Sequence, residues 1–242
     1  MLRLFSRALA TVSGLLALPA LALAQSECTP PQSLPVGRAI FPPPGSTVST
    51  PLTGYILALS WSPQFCKVNG DDKRHAAQCA SPNRFGFVVH GLWPDGEGRA
   101  DPQWCKRVPA VPAKVLKQHF CAIPSASLMQ HEWAKHGSCI ESDPDRYFSA
   151  AMRVYSALYF PDMNALIRSQ ANVGALTAAF VAANPGLAPD MLRVNQTPLG
   201  WLEQVQICLD RGYRPKSCPS DIGGASDDSR LRIWPMRQAS DR

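Results

Sequence analysis

Eight cysteines constrain this 242-residue chain more than any other feature of its sequence. An even number of cysteines in an exported protein is typical of disulfides, which would fix the fold at several points. A zinc site is the alternative, but the sequence contains no pair of cysteines separated by two residues, the spacing usual in such sites. Counting does not give the pairing, because eight cysteines allow about a hundred connectivities. The cysteines are Cys28, Cys66, Cys79, Cys105, Cys121, Cys139, Cys208 and Cys218.

The first 24 residues are organised like a secretory signal peptide. Arg3 and Arg7 precede an apolar stretch, and Ala22-Leu23-Ala24 provides a small-residue cleavage site. A membrane anchor is the alternative, but polar and helix-breaking residues interrupt this stretch, and no later apolar run is long enough to span a bilayer. We therefore expect a periplasmic or secreted protein whose mature form has no membrane anchor.

The net charge gives weak information about a partner. Lys and Arg exceed Asp and Glu by six, and the signal peptide carries two of the arginines, so the mature chain has a charge of +4. A mildly basic exported protein attracts polyanions, although many exported proteins are basic for other reasons.

The composition after the signal peptide changes once, near residue 52. Residues 25–51 are rich in Pro, Ser and Thr and predict an extended N-terminal arm, whereas residues 52–242 are enough for one domain with a substantial core. Strands and helices mix without a regular βαβ rhythm, so we expect an α+β fold, with a loop over 67–84. Strands are predicted at 55–61, 85–89, 201–209 and 231–234, and helices at 111–120, 128–136, 145–160 and 173–183.

Two segments, residues 87–94 and 131–139, contain three of the five histidines. Two imidazoles can divide acid and base duties near neutral pH, because an unperturbed histidine has a pKa of about 6.5. We expect His90 at the end of a strand, with Gly91 allowing a ligand to approach the backbone and Trp93 offering a surface on which a base can stack. Ordinary core packing is the alternative for His90 and Trp93.

The second segment is predicted to be a helix that ends at Gly137. On a regular helix, residues four apart share a face, so Glu132 would lie beside His136 and raise its pKa. His131 and Lys135 would form a second pair, suited to binding a phosphate. A zinc protease motif is excluded by spacing, because its two histidines must be four residues apart and these are five apart.

The two segments resemble the active-site motifs of the ribonuclease T2 family, which read approximately H-G-L-W-P and H-E-W-x-K-H-G-[TS]-C. The resemblance extends over about residues 52–236 and is weaker between 142 and 204. It implies that His136 is the general base, His90 the general acid and His131 a phosphate-binding residue. It also implies that Glu132 and Lys135 stabilise the phosphorane.

The resemblance further implies an endoribonuclease that cleaves single-stranded RNA to 2′,3′-cyclic and then 3′-phosphates, without a metal or other cofactor. Trp93 and Asp95 match the residues that help to bind a base in this family, and we expect a broad base preference and a monomer. A non-catalytic RNA-binding member of the same fold is the alternative. We expect a mostly antiparallel central sheet with packed helices. The implied disulfides are Cys66–Cys79, Cys105–Cys139 and Cys208–Cys218, which leave Cys28–Cys121 as the fourth.

Overall fold

The computed structural model describes residues 26–80, 82–98 and 100–236. The predicted signal peptide, residues 1–24, lies outside these ranges. Among the described residues, no helix has both the length and the apolar character needed to cross a bilayer.

A four-stranded antiparallel sheet forms the centre of the molecule, with the strand order β4–β2–β6–β5. Alternate residues of the inner strands, such as Leu57, Leu59 and Val205, are fully buried in the main core. A separate pair of short strands, β1 with β3, lies near the N-terminal arm. The strands are β1 Ser26–Glu27, β2 Leu52–Trp61, β3 Arg84–Phe85, β4 Phe87–Gly96, β5 Leu192–Gln196 and β6 Leu202–Asp210.

Helices cover the apolar face of the sheet. Tyr147 and Phe148 of α6 are almost fully buried, and Phe180 of α8 packs edge-on against Phe87 of β4. The predicted α+β architecture with an antiparallel sheet is therefore confirmed. The helices are α1 Ser62–Asn69, α2 Ala76–Cys79, α3 Ala113–His119, α4 Ala126–Glu132, α5 Ser138–Ile140, α6 Pro144–Tyr155, α7 Met163–Arg168 and α8 Val173–Ala183.

All four disulfides pair as the resemblance implies. Cys28–Cys121 ties the N-terminal arm to the body, across 93 residues of sequence. Cys105–Cys139 joins the loop after β4 to the end of the second histidine segment. The described cysteines include no free thiol.

The strand that carries His90 differs from the prediction. β4 continues through Gly91 and Pro94 to Gly96, so His90 lies within the strand rather than at its end. Pro94 is tolerated because β4 is an edge strand and needs hydrogen bonds on one side only. Ala58 pairs with Gly91 and Leu59 pairs with Val89, so His90 is the extra residue of a β-bulge. Bulges redirect side chains and are frequent beside active sites.

Three further predictions need correction. Residues 67–84 contain the end of α1, a short 3₁₀-helix and α2 instead of a loop, because the Cys66–Cys79 bond compacts this segment. The predicted helix over 145–160 ends at Tyr155. The predicted strand over 231–234 is reduced to one isolated bridge, from Arg232 to Trp201, and a second bridge, from Arg230 to Asn172, precedes it.

Candidate active site

The bulge in β4 brings His90 into contact with polar side chains from two other strands. The Nδ1 atom of His90 lies 2.6 Å from Nε2 of Gln204 and 3.3 Å from Oγ of Ser60. Its Nε2 atom lies 3.6 Å from a carboxylate oxygen of Glu132, and 32% of its side chain is exposed. Burial, together with the nearby charges of His131 and Lys135, lowers the pKa of His90 to about 4.

The second histidine segment is not a regular α-helix. Ser125 caps the start of α4, where its Oγ accepts a hydrogen bond from the Leu128 amide. From Trp133 to Gly137 the chain forms a π-helical turn, which is wider than an α-turn and is often found at functional sites. Gly137 is therefore not a helix end: the chain continues into α5, and a Cβ at Gly137 would overlap the Trp133 ring.

Glu132 contacts the first histidine segment and not His136. It is 2% exposed, and its Oε2 accepts a 2.8 Å hydrogen bond from Nε1 of Trp93. Gly91 makes this contact possible, because a Cβ at that position would overlap the Glu132 carboxylate. We expected Gly91 to let a ligand approach the backbone, but the Glu132 carboxylate occupies that space. Burial raises the pKa of Glu132 to about 7.

His136 is held by packing. It is 8% exposed, and its Nδ1 atom has no hydrogen-bond partner among the described residues. Burial, followed by the charges of Lys135, His131 and His90, lowers the pKa of His136 to about 3. The predicted increase in this pKa is wrong, because Glu132 does not supply the expected negative charge. A neutral imidazole at neutral pH is the form that a general base requires.

Trp93 connects the two imidazoles. Its ring centroid lies 5.4 Å from that of His90 and 5.6 Å from that of His136. The two histidines therefore contact the same indole, and the charge of His90 contributes to the lowered pKa of His136. Lys135 is close enough to lower the pKa of both imidazoles.

Trp104 supports the part of the cluster formed by His131 and Lys135, a role that no sequence motif indicated. Its ring packs edge-on against His131 at a centroid distance of 5.5 Å, and its amide donates a 2.7 Å hydrogen bond to the carbonyl of Lys135. Trp104 has a φ of 56°, which is unusual for a residue other than glycine. Burial and Lys135 lower the pKa of His131.

Asp95 lies apart from the histidines. Its carboxylate is buried and pairs with Nζ of Lys216 at 2.8 Å, and it also accepts a hydrogen bond from Oγ1 of Thr53 at 3.1 Å. Base binding by Trp93 and Asp95 stays a prediction. Within the described residues, no group of three or more His, Cys, Asp or Glu side chains is placed to hold a metal.

The sequence between the two motifs and on either side of them matches one known family. A family model of the ribonuclease T2 family matches residues 53–178, which include every histidine of the cluster. This chain belongs to the ribonuclease T2 family. It is 34% identical over 187 residues to a probable ribonuclease of Haemophilus influenzae, and this alignment covers 73% of this chain and 64% of that relative. It is 27% identical over 139 residues to ribonuclease I of Escherichia coli, covering 41% and 52%. The matches thus span only part of these relatives' lengths.

Solved structures share the ribonuclease T2 fold with this chain. The RNase-related protein from Calystegia sepium has a TM-score of 0.58 and 21% identity, covering 78% of this chain and 100% of that protein. RNase NT in complex with 5′-AMP has a TM-score of 0.56 and 21% identity, covering 77% and 99%. At this identity the likeness establishes the fold alone.

In this ribonuclease T2 fold, two cavities open beside His90. One, of about 280 Å³, is mainly apolar and lies between Val88, Phe65 and the 124–128 segment. The other, of about 440 Å³, is more polar and lies between α1 and the β5–β6 edge of the sheet. His90, Phe65 and Ser60 border both cavities, so His90 stands where the two meet.

Proposed function

We propose that this protein is an endoribonuclease that cleaves single-stranded RNA by transphosphorylation, without a metal or other cofactor. The observation that carries this proposal is that His90 and His136 contact the same indole at nearly equal centroid distances and that the charge of Lys135 acts on both. Two imidazoles so placed can face the two oxygens that exchange at one phosphorus. Membership of the ribonuclease T2 family and a relative named as a probable ribonuclease support the same activity.

His136 is the general base of this mechanism. Burial keeps its imidazole neutral, so it can take the proton of the ribose 2′-hydroxyl as that oxygen attacks the adjacent phosphorus. His90 is the general acid and protonates the departing 5′-oxygen. The free protein holds His90 mostly neutral, because its pKa is low. A bound phosphodiester would offset the charges of His131 and Lys135, and the pKa of His90 would rise toward the working pH.

Lys135 and Glu132 act on the phosphorane. Lys135 supplies positive charge where negative charge accumulates in the transition state. Glu132 is protonated below about pH 7, so it can donate a hydrogen bond to a phosphoryl oxygen while Trp93 occupies its other oxygen. His131 holds the phosphate, and its edge-on contact with Trp104 orients its ring. Departure of the 5′-oxygen leaves a 2′,3′-cyclic phosphate, which water then opens to a 3′-phosphate.

RNA containing flexible single strands is the expected substrate. DNA lacks the 2′-hydroxyl that serves as the nucleophile, and a duplex restricts in-line attack. Nucleotide complexes of fold relatives, RNase NT with 5′-AMP and a mutant of RNase MC1 with 5′-UMP, agree with a nucleotide-binding cleft. Four disulfides and the predicted signal peptide support export to the periplasm or the medium.

Analysis of the cleavage products tests the proposal. A single-stranded RNA oligomer is incubated with the purified protein in excess EDTA, and the fragments are identified by mass spectrometry at early and late times. We expect a 2′,3′-cyclic phosphate first and a 3′-phosphate later, with no cleavage of the matching DNA. Loss of activity in EDTA, or fragments that carry a 5′-phosphate, would contradict the mechanism. An RNA-binding protein without catalytic activity would leave the oligomer intact.

A further inference from the structure

The polar cavity beside His90 continues the active site away from His136. The strand register places Ser60 opposite Gln204 and Gln204 opposite Asn195, so these three side chains form a row across one face of the sheet. The row begins at His90, whose Nδ1 contacts both Ser60 and Gln204. Helix α1 borders the row along its length through Gln64, Phe65 and Val68.

The chemistry of this cavity suits a nucleobase better than a phosphate. Apart from His90, no residue that lines it carries a positive charge, and Glu203 contributes a carboxylate. Phe65 is aromatic and Val68 is 69% exposed, so the α1 side offers apolar surface to a flat ring. Gln64 is 7% exposed, and its amide oxygen lacks a hydrogen-bond partner among the described residues.

The role of His90 as the general acid determines which part of the RNA reaches the polar cavity. His90 protonates the 5′-oxygen of the departing strand, so the nucleotides downstream of the cleaved bond lie on its side of the cluster. Two cavities meet at His90 there, and the apolar one is large enough for the first downstream nucleoside. Beyond that nucleoside, the RNA strand reaches the polar cavity, which lies on the other side of Phe65.

We infer that the polar cavity binds the base of the second nucleotide downstream of the cleaved bond, and prefers a base with an exocyclic amino group. This inference rests on the proposed function. Adenine, guanine and cytosine present an amino group to the Glu203 carboxylate, which lines the cavity. Uracil has no amino group, and its one donor on that edge, N3–H, lies between two carbonyl oxygens that the Glu203 carboxylate repels, so uracil should bind less well.

Chimeric oligomers with a single ribonucleotide isolate this contact, because only the linkage after that ribonucleotide can be cleaved. One substrate has one deoxynucleotide downstream of the linkage, and a second has two, with adenine in the last position. We expect the second adenine to raise kcat/KM about tenfold, the size of one base-stacking contact. Uracil in the same position should give a smaller gain, and an abasic sugar-phosphate should give almost none.

Two variants test whether this cavity is responsible for the increase in kcat/KM. Glu203→Gln should leave kcat/KM for the shorter substrate unchanged and reduce the preference for adenine over uracil. Asn195→Ala should reduce the gain from the added adenine. Glu141→Gln is the matched control, because it removes a carboxylate near Tyr55, away from the cavity, and should change neither ratio.

Three outcomes would overturn the inference. Equal kcat/KM values for the two substrates would show that the second downstream base is not bound. A gain that the abasic substrate retains would assign it to a phosphate contact, and a gain unchanged by Glu203→Gln and Asn195→Ala would place the base elsewhere. Failure of the proposed function is distinguishable, because then neither substrate is cleaved.

Discussion

The strand segment and the helical segment hold their imidazoles by different means. His90 sits in a bulge with two hydrogen-bonding neighbours at Nδ1, whereas the Nδ1 of His136 is buried in a π-helical turn without a partner. The side-chain amide of Gln204 has both a donor and an acceptor, so it can serve a neutral or a charged imidazole. His136 meets no such group, and burial favours its neutral form. The surroundings of each ring therefore suit the acid and the base roles respectively.

Removal of either ring should have the largest effect. We expect His90→Phe and His136→Phe each to lower kcat/KM for single-stranded RNA about a thousandfold or more, with little change in the thermal unfolding temperature. A uridine 3′-phosphodiester with a nitrophenol leaving group separates the roles, because nitrophenolate departs without a proton. That substrate should restore much of the rate to His90→Phe and little to His136→Phe. Equal restoration of both would remove the distinction between acid and base.

Gly91 tests how closely the two segments approach one another. We expect Gly91→Ala to lower kcat/KM about a hundredfold, because the added Cβ overlaps the Glu132 carboxylate and crowds Nε1 of Trp93. The assay uses the same RNA substrate at the pH of maximum activity. Gly223→Ala is the control, since a Cβ there has open space around it. A Gly91→Ala protein of normal activity would mean that Glu132 is not required at its observed position.

The free energy of unfolding of Glu132→Gln, measured at two pH values, tests whether the Glu132 carboxyl group is buried. Burial raises the pKa of Glu132 in the folded protein to about 7 from an ordinary 4.5, so the folded state binds this proton more tightly than the unfolded state does. The carboxyl group thus loses stabilising effect as the pH rises from 4.5 through 7. We expect the free energy of unfolding of Glu132→Gln, relative to the original protein, to gain about 2–3 kcal/mol between pH 4.5 and 8.

Urea unfolding at the two pH values measures this difference. The sign is informative, because a Glu132 paired with a protonated His136 would have a lowered pKa. In that case the relative stability of the variant would fall as the pH rises. Such a result would support the pairing of Glu132 with His136 on a regular α-helix and would contradict the position of Glu132 beside Trp93.

Gln204 should have a smaller effect, visible mainly in the pH profile of kcat/KM. Gln204→Glu places a carboxylate 2.6 Å from Nδ1 in the observed geometry, which favours the imidazolium and raises the pKa of His90. The alkaline limb of the kcat/KM profile of Gln204→Glu should therefore move to higher pH. Gln204→Leu removes the amide nitrogen that contacts Nδ1, a donor that favours the neutral ring, so its alkaline limb should move to higher pH by less than that of Gln204→Glu, and its maximum rate should fall about tenfold.

Ser60→Ala removes the longer of the two contacts at Nδ1 and should shift the limb of the profile less than Gln204→Leu does. A nitrophenyl ester again distinguishes positioning from general damage, because it does not depend on the acid. Gln204 variants that lose equal activity on both substrates would assign this residue a purely structural role.

The sequence predicted the architecture and the members of the cluster better than their arrangement. Helix α8 and the inner strands follow from local apolar patterns, and the two motifs identified the five residues of the cluster. The bulge at His90 could not be predicted, because it depends on the register between β2 and β4. Gln204 lies 114 residues from His90 and gives no local signal. The pairing of Glu132 with His136 failed because it assumed a regular α-turn, and the wider π-turn changes which side chains meet.

The Cys105–Cys139 bond has a consequence for the cell that makes this protein. Cys139 follows His136 by three residues, and Cys105 adjoins Trp104, so one covalent bond links the segment of Trp104 to the turn that contains His136. Reducing conditions in the cytoplasm keep such a tie open. Under the proposed function, the exported enzyme would acquire this bond only after leaving the compartment that holds the ribosomes and messenger RNA of its producer.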